Sequence, residues 1–396
     1  MNAPTDKKPR PPARRMDDIA PFYVMDILAR AKALEAQGRS IIHMEVGEPD
    51  FSTPTQVVEA GKRALDQGLT HYTAAVGIPE LRAAIAGFYR RRYNVDLDPA
   101  RVVVTCGASG ALQLVMGTLV NPGDSVLLPD PGYPCNRHFV RLYEGRPVDI
   151  PVNAESSYQL TAKLIDRHAD ETTAGIMVAT PSNPTGTTVP QGQWPSLLDA
   201  AQRHGARLIV DEIYQGLVYD DSSETVLSLT DQAFVVNSFS KYFGMTGWRL
   251  GWLVAPKDFV GEIDKLAQNI FLAPPTVAQY AALAAFEDDT IAELEQRRDE
   301  FRARRDFLLP ALQELGFDIA VEPAGAFYLY ADCSRHHPDS RVLAAELLEQ
   351  TGVAVTPGLD FGRNSPERYL RFAYTTEQAV LKEGVERIRR YLQSAA

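Results

Sequence analysis

The chain has 396 residues, 45% of them apolar and 23% charged, and 51 acids against 40 lysines and arginines give a net charge of −11. That length suits a large enzyme subunit of one oversized or two ordinary domains, and the acidic balance excludes nucleic acid as a general partner, because phosphate binding needs a basic face. Three cysteines, Cys106, Cys135 and Cys333, are too few for a disulfide framework and too scattered for a zinc cluster, so a reducing, cytoplasmic setting is expected.

Residues 1–15 are Pro-rich and net +4, leaving −15 for the rest. No apolar stretch follows them, so they read as a disordered basic tail rather than a signal peptide. Nor does any run reach the roughly 18 apolar residues of a membrane span. Residues 22–38 read as a helix closed by Gly38, and IIHMEVGEPDF as a short strand running into a loop. From Pro54 to about residue 255, helical segments alternate with short apolar runs. These are RVVVTC (101–106), DSVLLPD (124–130), AGIMVAT (174–180), ARLIVDE (206–212), AFVVNSF (233–239) and RLGWLVA (249–255). Unbroken Val/Ile/Leu runs between helices predict a doubly wound, mostly parallel sheet covered on both faces. Beyond Pro275 a long charge-rich helix reads as a solvated connector. The remainder, through FYLYAD, GVAVTPG and RYLRFAYT to a final amphipathic helix, reads as a smaller α+β layer to which residues 16–50 are added.

Open α/β sheets bind ligands beyond the C-terminal ends of their strands. Ser109, Asn183, Asp211, Tyr214, Ser238, Ser240 and Lys241 all follow apolar runs and are expected on one rim. Ser109 and Asn183 taken alone would be helix caps or turn residues more often than ligand groups. Asp211 and Lys241 are harder to place as structure, since each follows an apolar run and would be partly buried without solvent to support it. Arg249 in WRLGWLVA and Arg371 in YLRFAY stand inside apolar, strand-like runs. A guanidinium cannot escape burial by losing its proton, so each requires either internal carboxylates or an anionic ligand.

SNPTG at 182–186, DEIY at 211–214 and SFSKYFGMTGWRLGW at 238–252, with PDPGYP at 129–134 and HYT at 71–73, resemble the class I/II aminotransferases, the fold-type I pyridoxal-phosphate enzymes. The resemblance implies pyridoxal 5′-phosphate as cofactor, joined through its aldehyde to Lys241. Asp211 would face the ring nitrogen, and Asn183 and Tyr214 the phenolic oxygen. Ser238, Ser240, Arg249 and the backbone N–H groups of Ala108 and Ser109 would hold the phosphate, and Tyr133 would stack on the ring. Tyr72 would reach a phosphate across the interface of a homodimer with a shared active site. Arg371, helped by Asn183 and the backbone near Gly47, would bind the substrate carboxylate. The chain would then divide into the tail (1–15), an N-terminal segment serving the small domain (16–50), a large cofactor domain (51–285) and a small C-terminal domain (286–396).

The implied reaction is ping-pong transfer of an amino group between an L-amino acid and a 2-oxo acid. Some aspartate-specific members of the family carry a lysine in a GGKQAL-type segment. Here that segment is GASGAL with Ser109 at the position, and NIFLAPPT (269–276) is apolar, so a neutral or hydrophobic amino acid is expected. A lyase on the same fold, similar to aminocyclopropane-carboxylate synthase, is the alternative. A hydrolase built on Ser109, Asp211 and His336 or His337 would leave Lys241, Arg249 and Arg371 without a role. S-x-x-K at Ser238–Lys241 lacks its companion motifs, and His336, His337 and Cys333 lack further ligands at metal spacing. A cofactor-binding regulator would need a DNA-binding domain that residues 1–50 are too short to supply.

Overall fold

In a computed structural model the described residues are 10–220 and 224–395, so residues 1–9 of the basic tail lie outside them. Arg14–Asp18 forms a short 3-10 turn, and Arg15 donates to the Leu142 carbonyl at 3.0 Å. In chain order the strands are β1 (Ile42–His43), β2 (Val102–Thr105), β3 (Ser125–Asp130), β4 (Arg146–Pro151), β5 (Thr173–Ala179), β6 (Arg207–Asp211), β7 (Phe234–Ser238), β8 (Gly251–Val254), β9 (Tyr328–Asp332), β10 (Val353–Ala354), β11 (Thr356–Pro357) and β12 (Tyr369–Ala373).

The central sheet has the order β2-β8-β7-β6-β5-β3-β4. It is parallel except for β8, which runs antiparallel to both β2 and β7. Side chains alternate across a strand, and here both faces are buried. Val102, Val104, Ile176, Val178, Leu208 and Val210 enter one core, while Val103, Met177, Ile209, Phe234 and Val236 enter the other. This double burial is why the strands read as continuous apolar runs. The strand missed in the sequence is β4, RPVDIP, which lies at the sheet edge and is largely half-exposed or exposed. An edge strand buries little and admits proline, so it carries no apolar signature.

The antiparallel run of β8 corrects the reading of Arg249. That residue does not lie within the strand; it precedes it, exposed, with φ +55° at the end of the turn Thr246–Trp248. Because β8 is reversed, its entry rather than its exit meets the rim formed by the ends of β2, β5, β6 and β7.

A second sheet, antiparallel β11-β12-β9, pairs Arg371 with Tyr330 and with Thr356. β1 pairs in parallel with β10, Ile42 against Val353, which brings residues 42–47 beside the C-terminal part of the chain. The long helical stretch breaks after Phe286. It resumes as Asp288–Glu314, with Leu294, Phe301, Leu308 and Leu312 buried, so one face packs on the core and only the other faces water.

His43 ties β1 to the N-terminal helix Tyr23–Ala36: its Nδ1 lies 2.7 Å from Glu45 and its Nε2 3.2 Å from Glu35. The hydrogen bond to the fully buried Glu45 is the main cause that pushes the His43 imidazole up to about 9. A folded-state value above the ordinary value of about 6.5 gives stability that is complete below that pH and is lost as pH rises through 9. The gap in Tm between the parent protein and His43→Gln is therefore expected to narrow from pH 6.5 to pH 9.5. A gap of constant width would contradict this account of the pair.

Candidate functional site

The rim begins where β2 gives way to the helix Gly107–Leu119. Cys106, at the cap position, makes no side-chain bond to the first turn, so the leading N–H groups of the helix have no cap. Gly107 has φ +70°, and a Cβ there would lie 2.8 Å from Arg249 Nη2. A Cβ on Gly251 would lie 2.8 Å from the Gly107 carbonyl carbon and 2.9 Å from the Ala108 nitrogen. Two glycines thus let β8, the helix start and the Arg249 guanidinium crowd together. Such a helix terminus with an arginine beside it suits a phosphate. Ser238 Oγ donates to Ser240 Oγ at 3.0 Å and accepts the Ser240 N–H at 3.0 Å, so β7 ends in a buried pair of hydroxyls.

At the centre of the rim is a cavity of about 230 Å³ lined by Lys241, Asp211, Asn183, Tyr214, Tyr133, Arg371 and Tyr328, among others. Lys241 Nζ donates to the Gly47 carbonyl at 2.6 Å. Burial pulls the amine down to about 8; Arg371 and Arg249 push the same way, and Glu48 and Asp211 oppose them. Asp211 ends β6 and accepts the Ile213 N–H at 3.0 Å. Burial raises its carboxyl to about 6, against that bond and the nearby Lys241. A neutral amine and a carboxylate that both become accessible near pH 7 equip the cavity to move protons.

Arg371 is 3% exposed. Its Nη1 donates to Asn183 Oδ1 at 2.9 Å and its Nη2 to the Glu45 carbonyl at 2.5 Å, while Nε has no partner. Tyr328 and Phe361 flank it, their ring centroids 4.3 and 4.8 Å from the guanidinium carbon. Neither Arg371, which is buried, nor Lys241, which is partly buried, forms a salt bridge among the described residues, and the carboxylate that lines the cavity with them is Asp211. The bond from Arg371 also fixes the Asn183 amide and leaves its NH2 as a donor. Tyr214 and Tyr328 share a hydrogen bond at 2.8 Å.

Of the residues singled out in the sequence, Gly47, Ala108, Ser109, Tyr133, Asn183, Asp211, Tyr214, Lys241 and Arg371 line this cavity. Ser238, Ser240 and Arg249 do not line it but lie beside the helix start. Tyr72 is 83% exposed and contributes nothing to the cavity of its own chain. The apolar segment 269–276 does not line it either. Phe271 sits on the helix near Gly110, and Leu272 faces outward. The apolar wall comes instead from Phe22, Val24, Met25, Leu112 and Ile213. His336 packs on Phe317, ring centroids 4.6 Å apart, and lines no part of the cavity, so Ser109 and Asp211 have no such histidine with them. Tyr328 went unnoticed in the sequence. It is one aromatic in FYLY, and only the pairing of β9 with β12 sets it opposite Ala373 and above Gly47, where a Cβ would lie 1.8 Å from its hydroxyl.

The family model described as aminotransferase class I and II matches residues 39–388. Over 383 residues the chain is 36% identical to the (5-formylfuran-3-yl)methyl phosphate transaminase of Methanocaldococcus jannaschii, with 96% of this chain and 99% of that protein covered. Identity is also 36%, over 378 residues, to the valine–pyruvate aminotransferase of Mycobacterium tuberculosis, covering 95% of this chain and 97% of that one. The crystal structure of an aminotransferase from Mycobacterium tuberculosis superposes with a TM-score of 0.93 at 36% identity, covering 98% and 100% of the two chains.

Proposed function

The chain belongs to the class I and II aminotransferases, and on that premise we propose that it binds pyridoxal 5′-phosphate in the rim cavity and transfers the amino group of an apolar L-amino acid to a 2-oxo acid. The observation that carries this reading is the convergence of the partly buried Lys241 and the buried Arg371, neither in a salt bridge among the described residues, on one cavity beside Asp211. When bound, the cofactor supplies an aldehyde carbon for the amino group and a ring that withdraws electrons from the substrate Cα.

Each residue has a share in this chemistry. Lys241 would hold the cofactor at its aldehyde carbon, and its free amine would carry the proton exchanged at the substrate Cα. Its value of about 8 keeps part of the amine unprotonated near neutral pH. Asp211 keeps the ring nitrogen protonated; its buried carboxyl gains a cationic partner that favours the ionised form. The uncapped N–H groups of Ala108 and Ser109, the Ser238–Ser240 hydroxyl pair and Arg249 hold the phosphate. Tyr133 would pack against the ring, and Asn183 and Tyr214, which line the same cavity, would donate to the phenolic oxygen. Arg371 receives the substrate carboxylate through its unpartnered Nε and a neighbouring N–H.

The wall formed by Phe22, Val24, Met25, Leu112 and Ile213, with neutral Ser109 at its edge, supports an apolar substrate side chain. A distal carboxylate placed there would lose its hydration without meeting a cation. Exposed Tyr72 supports a homodimer in which this side chain reaches the partner's phosphate. Three free cysteines support a reducing, cytoplasmic setting. No helix among the described residues is long and apolar enough to cross a membrane.

Reducing the holoenzyme with borohydride and mapping its peptides by mass tests the cofactor assignment. The phosphopyridoxyl mass is expected on the peptide containing Lys241, and its appearance on another lysine would overturn the reading.

A further inference from the structure

The apolar wall rests on the start of the helix Tyr23–Ala36, where the Met25 N–H donates to the Phe22 carbonyl at 2.9 Å but Phe22, at the cap position, offers no side-chain bond to the Tyr23 and Val24 N–H groups. The bonds come from far along the chain. Asp360 Oδ1 accepts the Tyr23 N–H at 2.8 Å, and Oδ2 accepts the Val24 N–H at 2.8 Å. The carboxylate is 5% exposed and forms no salt bridge among the described residues. Burying it is costly unless those two N–H groups and the positive end of the helix compensate.

The loop that carries Asp360 is itself fixed on two sides. The Phe361 carbonyl accepts the Gly132 N–H at 2.8 Å, and Asp130 accepts the Arg363 N–H at 2.8 Å. The Phe361 ring lies on Arg371. One short loop therefore touches both the guanidinium and the helix start that presents Phe22, Val24 and Met25 to the cavity.

We propose that Asp360 is a positioning residue for substrate side-chain selection: by bridging the Tyr23 and Val24 N–H groups it holds the Phe22–Met25 wall against the cavity that Arg371 closes on the other side. The proposal rests on the apolar-substrate reading given above. Releasing the helix start withdraws the wall from a large side chain and leaves a small one unaffected, because alanine does not extend to it. Asparagine is a poor substitute, since it keeps one acceptor and turns its NH2 toward the second donor.

The test compares kcat/KM for L-alanine and L-leucine in the parent holoenzyme, Asp360→Asn and Tyr23→Pro. Tyr23 is the first helical residue, its side chain is exposed and lies outside the cavity, and the preceding Phe22 has the extended backbone (ψ 107°) that a following proline requires. Proline there deletes one donor to Asp360 and sets its ring carbon against the carboxylate while replacing no wall side chain, and Tyr23→Ala controls for the lost ring. For leucine, kcat/KM is expected to fall about tenfold in Asp360→Asn and in Tyr23→Pro, equal to about 1.4 kcal/mol. The alanine value should change less than twofold, and Tyr23→Ala should match the parent. Equal losses for both donors, or none for leucine, overturn the role of Asp360. Should Asp360→Asn fail to fold, Tyr23→Pro against Tyr23→Ala decides the matter alone. A parent enzyme that prefers aspartate to leucine instead defeats the apolar-substrate reading on which the proposal depends.

Discussion

Lys241→Ala is expected to lower the transamination rate at least about 1,000-fold while the protein still binds pyridoxal 5′-phosphate. Positioned proton transfer alone contributes roughly 100- to 10,000-fold, and this amine is the basic side chain nearest the proposed reaction path. Asp211 and Asn183 have no proton-accepting amine to replace it, and Arg371 cannot give up a proton. The phosphate-side groups, from the helix start at Gly107 to the Ser238–Ser240 pair, are untouched by the change, so cofactor retention separates lost chemistry from lost binding. Stopped-flow absorbance with a saturating amino donor measures the loss. A variant that turned over within tenfold of the parent would remove Lys241 from the reaction.

The second large effect belongs to Arg371. Replacing it with lysine keeps the charge but removes the planar fork, so a two-point contact becomes one. Hydrogen bonds between charged groups contribute about 1.5–3 kcal/mol each. Losing one implies a rise in amino-donor KM of about 10- to 100-fold, with the cofactor spectrum unchanged. The lysine also abandons the Asn183 Oδ1 and Glu45 carbonyl contacts, so a small fall in Tm should accompany the kinetic change. If Tm fell while KM and kcat stayed put, the guanidinium would be a structural brace between β12 and the strand segment before Gly47.

Much of this site is legible in the chain because buried parallel strands announce themselves. Asp211 and Lys241 stand just past apolar runs whose other face is also buried, and β6 and β7 do carry them to the same rim. Arg249 shows where that logic stops. Its position at the rim depends on β8 running against its neighbours, and an apolar run does not encode its own direction. Tyr328 and the Phe22–Met25 wall were hidden for a different reason. They come to the cavity through contacts between chain ends, such as Ile42 with Val353 and Asp360 with Tyr23, and periodicity reports only neighbours within one element. The edge strand β4 was hidden because it buries too little to show a pattern. The polar chemistry was thus readable where burial demanded an explanation, while the shape that selects a substrate was not.

One single-turnover measurement tests apolar-substrate transamination by this chain most directly. Purified holoenzyme is mixed separately with L-leucine and L-aspartate, and both the loss of the aldehyde absorbance and the oxo acid formed are recorded. Leucine is expected to give one oxo acid per active site, with no ammonia, and to react at least about 100-fold faster than aspartate, as about 3 kcal/mol for an unpaired carboxylate against the apolar wall requires. Aspartate outrunning leucine, or ammonia released in place of a retained amino group, would contradict it.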